Sequence, residues 1–344
     1  MLSGGGMKGL AHVGVLRALE QRGLEPTLLV GSSVGALVAA GWASGLGPNM
    51  LAERALQLQR HDLFRLAHLD MALRRLRSPA LYRAEPLQAL VHELLGTLTF
   101  RQLQARLLVN TVDLNAGAQV LWGLPGLDDI PVADAVFASC ALPGIFPPRE
   151  IRGRHYVDGA IVENLPVRLS AMAGTGPVIA VNLNSGMIRR RAVETQGFAA
   201  TYTRGLELVM RTQMEGVLRR WSDPPLVLVH PRVEQVGMFS FEHTPFLIEE
   251  GHRAMAAALD ALDALPGGLF ALENGVYPRR AVRISIDAGR CIGCGECGLW
   301  APRVFRGAPG QVPEVLEPRH EWSPIDGSYV QHCPVEAIRV DDAD

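Results

Sequence analysis

Lysine is almost absent from this sequence: Lys8 is the only one, and every other basic residue is an arginine. The formal net charge of the 344 residues is −2, so the chain lacks the basic surplus typical of nucleic-acid binding. The N-terminus also lacks the basic start and the apolar h-region of a secretory signal peptide. With 48% hydrophobic and 20% charged residues, the composition is that of a globular protein. We expect a cytoplasmic location, with peripheral contact with the inner membrane surface as a further expectation.

One uncharged stretch, residues 26–52, is long enough to be mistaken for a membrane span. Its apolar start is short and strand-like, and Gly31-Ser32-Ser33 interrupts it before a helical pattern begins. Small residues at such an interruption are typical of a turn. The stretch therefore predicts a buried strand, a turn and a helix rather than a transmembrane helix.

A change of composition divides the chain into two predicted domains. Strand-like runs alternate with helical patterns over residues 1–265, which indicates α/β layers. The segments PGG and GVYPRR then mark a linker over residues 266–281. In residues 282–344 the acidic residues outnumber the arginines, and four of the five cysteines fall there. We therefore predict one domain at 1–265 and a second at 282–344.

The hydrophobic periodicity predicts the main elements of the first domain. Strands are expected at 27–30, 107–112, 119–122, 178–182 and 226–229. The segment VDLNAG is predicted to be a hairpin turn between the second and third of them. Helices are expected at 7–21, 35–44, 51–58, 86–95, 196–221 and 247–265. Residues 61–77 place leucines near helical spacing among arginines, which predicts a surface helix packed on the core or, alternatively, a lid that meets lipid. The arginine clusters at 74–77 and 189–191 could face anionic headgroups or, more simply, solvent.

Four cysteines have a spacing typical of an iron–sulfur site. Cys291, Cys294 and Cys297 form a C-x2-C-x2-C run, and Cys333 is followed at once by a proline. Three thiolates on one loop can ligate three irons of a cubane, and the distant cysteine then completes the ligand set. A disulfide framework would need an oxidising compartment, and structural zinc usually takes two separate C-x2-C pairs. An iron–sulfur cluster is therefore expected, with zinc as the lesser alternative, whereas Cys140 is expected to be a small buried residue.

A second motif is the G-x-S-x-G match Gly31-Ser32-Ser33-Val34-Gly35. Between a strand and a helix, this pattern makes a sharp turn that presents the central serine at the helix N-terminus, and the flanking glycines avoid clashes. A serine needs a base to become a nucleophile. The histidines offer no obvious partner in the sequence, whereas Asp158, followed by a glycine after an apolar segment, could accept the proton directly.

Four segments occur in a fixed order: GGGMKG, GSSVG, ASCALPGIFPP and DGAIVENLP. Together they resemble the patatin-like phospholipase family over residues 2–265. The resemblance implies a three-layer α/β fold with a central, mostly parallel sheet. It implies a lipid or acyl-ester substrate, with Ser33 as nucleophile and Asp158 as general base.

The same resemblance implies an oxyanion hole built by Gly4, Gly5, Gly6, Lys8 and Gly9, with Gly31 and Gly35 shaping the turn around Ser33. Two departures from the family pattern are visible. Ala160 stands where the family usually has glycine, and only Met1-Leu2-Ser3 precede the glycines where the family has an apolar strand. Either the chain starts further upstream or the first strand is a stub, and a stub predicts a less well anchored glycine loop.

Residues 282–344 resemble a single-cluster bacterial ferredoxin. That resemblance implies a [4Fe–4S] centre that transfers one electron, ligated by Cys291, Cys294, Cys297 and Cys333, and it implies a redox partner protein. The presence of Cys294 favours four irons over three. Two hypotheses follow: a serine acyl hydrolase with a fused ferredoxin module, or an electron carrier or redox sensor whose patatin-like part is a binding scaffold. In the first, we expect the cluster to gate or localise the hydrolase, because ester hydrolysis moves no electrons.

Overall fold

The computed structural model describes residues 1–66, 80–168, 176–183 and 198–343. The two arginine clusters of the sequence analysis lie outside these residues, as does most of the predicted surface or lid helix at 61–77. None of the helices in the described ranges is long and apolar enough to cross a bilayer. The uncharged stretch that resembles a span is instead divided into a strand, Leu28–Ser32, and a helix, Val34–Ala43.

The described chain forms ten α-helices, four 3-10 helices and thirteen strands. The α-helices are α1 (Ala11–Gln21), α2 (Val34–Ala43), α3 (Pro48–Gln57), α4 (Arg60–Leu63), α5 (Glu85–Leu95), α6 (Val132–Cys140), α7 (Ala160–Glu163), α8 (Phe198–Leu218), α9 (Thr244–Asp263) and α10 (Glu296–Trp300). The 3-10 helices are Gly6–Leu10, Phe100–Gln102, Gly268–Ala271 and Ser328–His332. The strands are β1 (Leu28–Ser32), β2 (Arg106–Asp113), β3 (Ala118–Trp122), β4 (Arg149–Ile151), β5 (Arg154–Asp158), β6 (Val178–Val181), β7 (Leu226–Val229), β8 (Val276–Tyr277), β9 (Arg280–Ile286), β10 (Phe305–Arg306), β11 (Glu314–Val315), β12 (Arg319–Trp322) and β13 (Ile338–Asp342).

These elements fall into two compact units. Of the described residues, the first unit holds those up to 183 together with 198–214 and 227–272, and the second holds 215–226 and 273–343. The chain passes from the first unit to the second for the last time between residues 272 and 273, inside the segment predicted as a linker. That segment also contains structure of its own, since a 3-10 helix and β8 lie within it.

The sheet of the first unit is mixed, so the expected mostly parallel sheet is wrong. Strand β1 pairs with β2 in parallel, but β2 pairs antiparallel with both β3 and β5, and β5 pairs antiparallel with β4. Two tight turns explain why β2 and β3, and likewise β4 and β5, pair antiparallel. Asp113 accepts hydrogen bonds from the backbone N–H groups of Asn115 and Ala116 at 2.8 and 3.1 Å, which builds the predicted hairpin turn after β2. Arg152 and Gly153 both have positive φ, which suits a two-residue hairpin between β4 and β5.

The three residues before the glycine run form a short bridge between two strands. Leu2 pairs in parallel with Gly31 of β1 on one side and with Val181 of β6 on the other. Its N–H donates to the Val30 carbonyl at 2.8 Å, and its own carbonyl accepts from Ser32 at 3.1 Å. The segment before the glycine run is thus paired with a strand on each side, however short it is. The expectation that a stub would leave the glycine loop poorly anchored is wrong, because backbone pairing on two sides holds its first residues.

Helices α1 and α9 pack backbone against backbone at two glycines. A Cβ at Gly14 of α1 would lie 1.7 Å from the Ile248 carbonyl oxygen of α9. A Cβ at Gly251 of α9 would lie 1.8 Å from the carbonyl oxygen of Ala11. Only glycine permits so close an approach. Because α1 follows the glycine run directly, α9 fixes the position of the helix that leads out of the candidate site.

The second unit has a small core of its own. Strand β9 lies between β12 and β13 and pairs antiparallel with each. Strands β10 and β11 form a separate antiparallel pair. The largest buried side chains of this core are aromatic: Phe305, Trp322 and Tyr329 pack with Val282 and Ile284 of β9.

Candidate functional site

Ser33 lies at the sharp turn between β1 and α2. Its backbone has φ 55° and ψ −132°, a conformation that L-residues adopt only under constraint. The two glycines on either side of the turn are required by contact. A Cβ at Gly31 would come within 2.5 Å of the Ala36 Cα, and one at Gly35 within 2.5 Å of the Leu2 carbonyl oxygen. The sequence pattern thus folds into the turn because only glycine fits beside the serine.

The strained backbone of Ser33 is held by a second serine. The Ser33 N–H donates to the Ser139 hydroxyl at 2.9 Å, and that hydroxyl donates to the Asn110 carbonyl at 2.7 Å. The Asn110 side chain in turn donates to the Ser32 hydroxyl at 2.9 Å and to the Glu163 carbonyl at 2.8 Å. Ser139 and Asn110 are fully buried. Hydrogen bonds in such surroundings are costly to break, so this network fixes the serine turn relative to β2 and α7.

Asp158 is the carboxylate that meets Ser33. It lies at the end of β5 and is only 1% exposed, and its Oδ1 accepts the Ala160 N–H at 2.9 Å. The Ser33 side chain donates a hydrogen bond to the same carboxylate. Burial raises the pKa of Asp158 to about 7, against a smaller lowering by these two hydrogen bonds. A carboxyl group with a pKa near neutral can both take up and return a proton at physiological pH.

The glycine run closes the other side of the serine. Gly4 donates its N–H to the Asn164 side chain at 2.8 Å, and a Cβ at Gly4 would lie 2.9 Å from the Ser33 Cβ. Gly6 has φ +60°, and a Cβ there would meet the Met238 carbonyl oxygen. The N–H groups of Gly5 and Gly6 have no acceptor among the described residues. Two donors beside a serine hydroxyl can therefore receive an incoming oxygen atom.

The other two residues expected at the oxyanion hole are placed differently. Lys8 and Gly9 are buried in the 3-10 helix Gly6–Leu10, and neither lines the pocket at Ser33. Gly9 instead faces the side chain of Val34, which a Cβ would approach to 2.6 Å. His12 contacts the residue before the glycine loop: its Nε2 lies 2.8 Å from the Ser3 carbonyl oxygen. Burial lowers the pKa of His12 to about 4. His12 is therefore a neutral residue of the core.

Ser33, Asp158 and the first three glycines line one apolar pocket. The rest of its wall is aliphatic and aromatic, with Phe64 at the centre of the aromatic part. The ring centroid of Phe64 lies 5.6 Å from that of Phe146 and 5.2 Å from that of Phe239. A pocket of this lining favours a hydrocarbon substituent next to the serine.

Sequence reasoning missed the residues that hold these groups in place. Ser139 and Asn164 belong to quoted motifs, ASCALPG and DGAIVENLP, but no pattern marks them as partners of Ser33 and Gly4. Asn110 lies within an ordinary apolar strand. A buried asparagine in such a strand is a signal in itself, since a buried amide needs hydrogen-bond partners.

The four C-terminal cysteines all lie in the second unit. Cys297, in α10, and Cys333 pack against the same core cluster. Cys291 and Cys294 are close enough to Cys297 to act on its thiol electrostatically. The Ala337 N–H donates to the Cys333 sulfur at 3.2 Å. In the described part of the chain, no three His, Cys, Asp or Glu side chains are close enough together to hold a single metal ion.

A serine at a constrained strand–helix turn beside a buried carboxylate is the arrangement of hydrolases that act through a serine. Comparison with known protein families narrows down the class of serine hydrolase. The family model for patatin-like phospholipases matches residues 1–170, and the chain thus contains a patatin-like phospholipase domain. The match covers none of the four C-terminal cysteines.

The chain is also similar to individual known proteins. An uncharacterized NTE family protein of Mycobacterium tuberculosis is 34% identical over 183 residues, covering 53% of this chain and 48% of that protein. Neuropathy target esterase sws of Drosophila melanogaster is 24% identical over 187 residues, covering 54% of this chain and 13% of that protein. Among solved structures, VipD from Legionella pneumophila has a TM-score of 0.39 at 15% identity, covering 75% of this chain and 66% of that one. The chain spans about half the length of the mycobacterial relatives it matches.

Proposed function

We propose that the first unit is a serine acyl hydrolase that cleaves lipid or other acyl esters. The observation that carries this proposal is the hydrogen bond from the Ser33 hydroxyl to the buried Asp158, in an apolar pocket beside two glycine N–H groups that find no acceptor in the described residues. The membership of residues 1–170 in the patatin-like phospholipase family supports it. Asp158 takes the place of the histidine of a triad, because burial already brings its pKa near neutral.

The reaction runs in two halves. Ser33 Oγ attacks the ester carbonyl while its proton passes to the Asp158 carboxylate, and the carbonyl oxygen becomes an oxyanion. The tetrahedral intermediate collapses, the alcohol leaves with the proton from Asp158, and the acyl group stays on Ser33. A water molecule then gives a proton to Asp158 and attacks the acyl carbon. The second tetrahedral intermediate collapses, Asp158 returns the proton to Ser33 Oγ, and the carboxylic acid leaves.

The oxyanion is stabilised by the backbone around the serine. The N–H groups of Gly5 and Gly6 donate to it, and the positive end of the α2 dipole lies at the same point because α2 begins at Val34. Each such donor typically contributes about 3 kcal/mol to the transition state. Gly4 acts differently: its N–H is bound to Asn164, so it contributes close contact with Ser33 and no free donor.

The test is hydrolysis of p-nitrophenyl butyrate, together with covalent labelling by a fluorophosphonate. Ser33→Ala should abolish both turnover and labelling. Ser44→Ala is the matched control, because Ser44 follows the opposite end of α2 and its hydroxyl donates to the Gly41 carbonyl at 2.7 Å. Undiminished turnover or labelling in Ser33→Ala would overturn the assignment.

We further propose that Cys291, Cys294, Cys297 and Cys333 hold a [4Fe–4S] cluster. The residues present fit such a group: two of the thiols share one core, and the other two lie on the loop that leads into α10. Gly293 and Gly295, between these cysteines, have φ +65° and +79°, so the loop turns tightly as it would around a cubane.

A bound cluster would supply one-electron transfer, and these residues would contribute the four thiolates and the Ala337 N–H beside Cys333. Its role in this protein would be to gate the hydrolase or bind a redox partner. Anaerobic reconstitution with iron and sulfide should give about four irons per chain and a reversible visible absorption, because four thiolates form the usual ligand set of a cubane. Cys294→Ala should lose this signal and Cys140→Ala should keep it.

Comparison of oxidised, reduced and cluster-free protein tests the role of the cluster. If ester turnover and partner binding are the same in all three states, the gating role is wrong. A reversible cluster signal without hydrolysis of any ester would instead support the alternative of an electron carrier with a patatin-like scaffold.

A further inference from the structure

Asn164 binds both backbone polar groups of the first glycine in the loop. Its Oδ1 accepts the Gly4 N–H at 2.8 Å, and its Nδ2 donates to the Gly4 carbonyl at 3.4 Å. A carboxamide carries an acceptor and a donor side by side, so one side chain meets both groups. Asn164 is only 2% exposed and does not line the catalytic pocket, whereas Gly4 and Gly5 do. The glycine loop is therefore held from its buried side.

The Gly4 carbonyl and the Gly5 N–H belong to the same peptide unit. The bond between them is trans, and in a planar trans peptide the C=O and the N–H point in opposite directions. The carbonyl points to Asn164, outside the pocket lining. The Gly5 N–H consequently points to the pocket side, where it has no acceptor among the described residues. The hydrogen bond to the carbonyl thus sets the direction of the Gly5 donor.

Two consecutive glycines do not hold this orientation by themselves. Glycine adopts positive and negative φ with similar ease, so the peptide between Gly4 and Gly5 can turn over at low conformational cost. A side chain at Gly4 cannot stiffen the loop, because its Cβ would lie 2.8 Å from Asn164 Oδ1 and 2.9 Å from the Ser33 Cβ. A turned peptide would present a carbonyl oxygen to the oxyanion and repel it. The orientation must therefore be imposed by a residue outside the loop.

Asn164 is itself fixed on the segment that carries the catalytic carboxylate. Asp158 precedes α7 and Asn164 follows it, so the two lie at opposite ends of one short helix. The Glu163 carbonyl accepts a hydrogen bond from the Asn110 side chain at 2.8 Å, which ties the residue before Asn164 to β2. The general base and the residue that orients the glycine loop are thus held by one segment.

We propose that Asn164 is a positioning residue of the acyl hydrolase, which holds the Gly4–Gly5 peptide so that the Gly5 N–H points at the oxyanion. The inference rests on the proposed hydrolase function and adds to it a residue that acts through another. The charge that Asn164 serves exists only after Ser33 has attacked the ester, so its effect belongs to the transition state. Loss of Asn164 should therefore lower kcat and leave KM nearly unchanged.

The experiment measures turnover of p-nitrophenyl butyrate together with inhibition by hexyl trifluoromethyl ketone. Ser33 Oγ adds to the ketone carbon, its proton passes to Asp158, and the ketone oxygen becomes an anion in place of the ester oxyanion. Asn164→Leu keeps the branched shape of the side chain without either hydrogen bond. It should lower kcat and raise the Ki of the ketone by about 100-fold or more, the usual effect of one oxyanion donor. The Ki does not depend on the fraction of protein that is folded.

Asn164→Asp separates the two hydrogen bonds. It keeps an acceptor for the Gly4 N–H but places a second carboxylate oxygen beside the Gly4 carbonyl, so the peptide is no longer held. It should therefore raise the Ki as Asn164→Leu does. A wild-type kcat and Ki in Asn164→Asp would show that the bond to the Gly4 N–H is sufficient, and the proposal would be wrong.

Asn115→Asp is the matched control. The Asn115 Oδ1 also accepts a backbone N–H, that of His155 at 3.0 Å, and Asn115 lies outside the pocket lining. The control should keep the wild-type kcat and Ki. A rise in Ki equal to that of Asn164→Asp would overturn the proposal, because the effect would then not be specific to the glycine loop.

Crystal structures of the wild-type protein and of Asn164→Leu separate this proposal from the hydrolase assignment. The Gly4 carbonyl should point to residue 164 in the wild-type protein and turn away from it in the variant; if Asn164→Leu does not fold, Asn164→Asp takes its place. An unchanged carbonyl direction would overturn the positioning role whatever the turnover. Absence of ester turnover in the wild-type protein would contradict the hydrolase assignment, and the carbonyl direction would still test the peptide orientation.

Discussion

Asp158→Asn should remove catalysis and, at the same time, change how stability depends on pH. The carboxyl group is buried, and burial raises its pKa from the ordinary 3.8 to about 7. The folded state therefore binds this proton more tightly than the unfolded state does. The stabilisation associated with the proton is complete below about pH 3.8 and is lost as the pH rises through about 7. The asparagine variant keeps the amide oxygen for the Ala160 N–H but has no proton to lose.

The magnitude follows from the two pKa values. A shift from 3.8 to about 7 corresponds to about 4 kcal/mol when the carboxylate is fully charged in the folded state. Between about pH 5 and about pH 8, the free energy of unfolding of the wild-type protein should fall by about 2–3 kcal/mol relative to that of Asp158→Asn. The variant is thus expected to gain relative stability as the solution becomes more alkaline, while ester turnover stays lost.

Urea unfolding at a series of pH values, followed by circular dichroism, measures this difference. The two proteins are compared in the transition that the substitution shifts, because the chain has two units and need not unfold in one step. A difference in unfolding free energy that stays constant over the pH range would refute the reasoning. It would mean that the carboxyl group of Asp158 titrates alike in the folded and unfolded chain.

Three further outcomes are expected. The kcat/KM for ester hydrolysis should rise with pH and level off above about 7, because only the Asp158 carboxylate can accept the Ser33 proton; a flat profile would contradict the general-base role. Ser139→Ala should lower kcat far more than it changes KM, because it removes the hydrogen bond to the Ser33 backbone and leaves the pocket lining unchanged. A kcat equal to that of the wild-type protein would show that the Ser33 turn keeps its conformation without this hydrogen bond. Gly14→Ala should destabilise by more than about 4 kcal/mol in thermal unfolding, whereas Gly216→Ala, where a Cβ meets only the end of an arginine at 3.7 Å, should stabilise by about 0.5–1 kcal/mol.

The sequence predicts much of the secondary structure because its periodic segments are long. Helices α2, α5 and α9 and strands β1, β2 and β7 agree with their predicted positions within a few residues. Strands β4 and β5 and helix α6 were not predicted. The two strands are three and five residues long, too short for a period of two to stand out, and α6 is apolar on nearly every side.

The candidate site could be predicted only at positions where a glycine or a proline creates a recognisable local sequence pattern. The turn around Ser33 and the aspartate before a glycine are local patterns, whereas the bond from Ser139 to Ser33 spans 106 positions and that from Asn164 to Gly4 spans 160. Such partners are brought together by the order of strands in the sheet. The raised pKa of Asp158 is likewise a property of burial, and no local pattern reports it.

The contact between α1 and α9 couples two regions that no catalytic argument would connect. Gly14 and Gly251 let two backbones touch, and no side chain lies between them to absorb a change. Any larger residue on α9 at that point would push α1, and with it the glycine loop for which we propose the oxyanion role. The geometry around Ser33 therefore depends partly on α9, although α9 lies far along the chain. Substitutions on α9 can alter the rate of ester hydrolysis without contacting the ester.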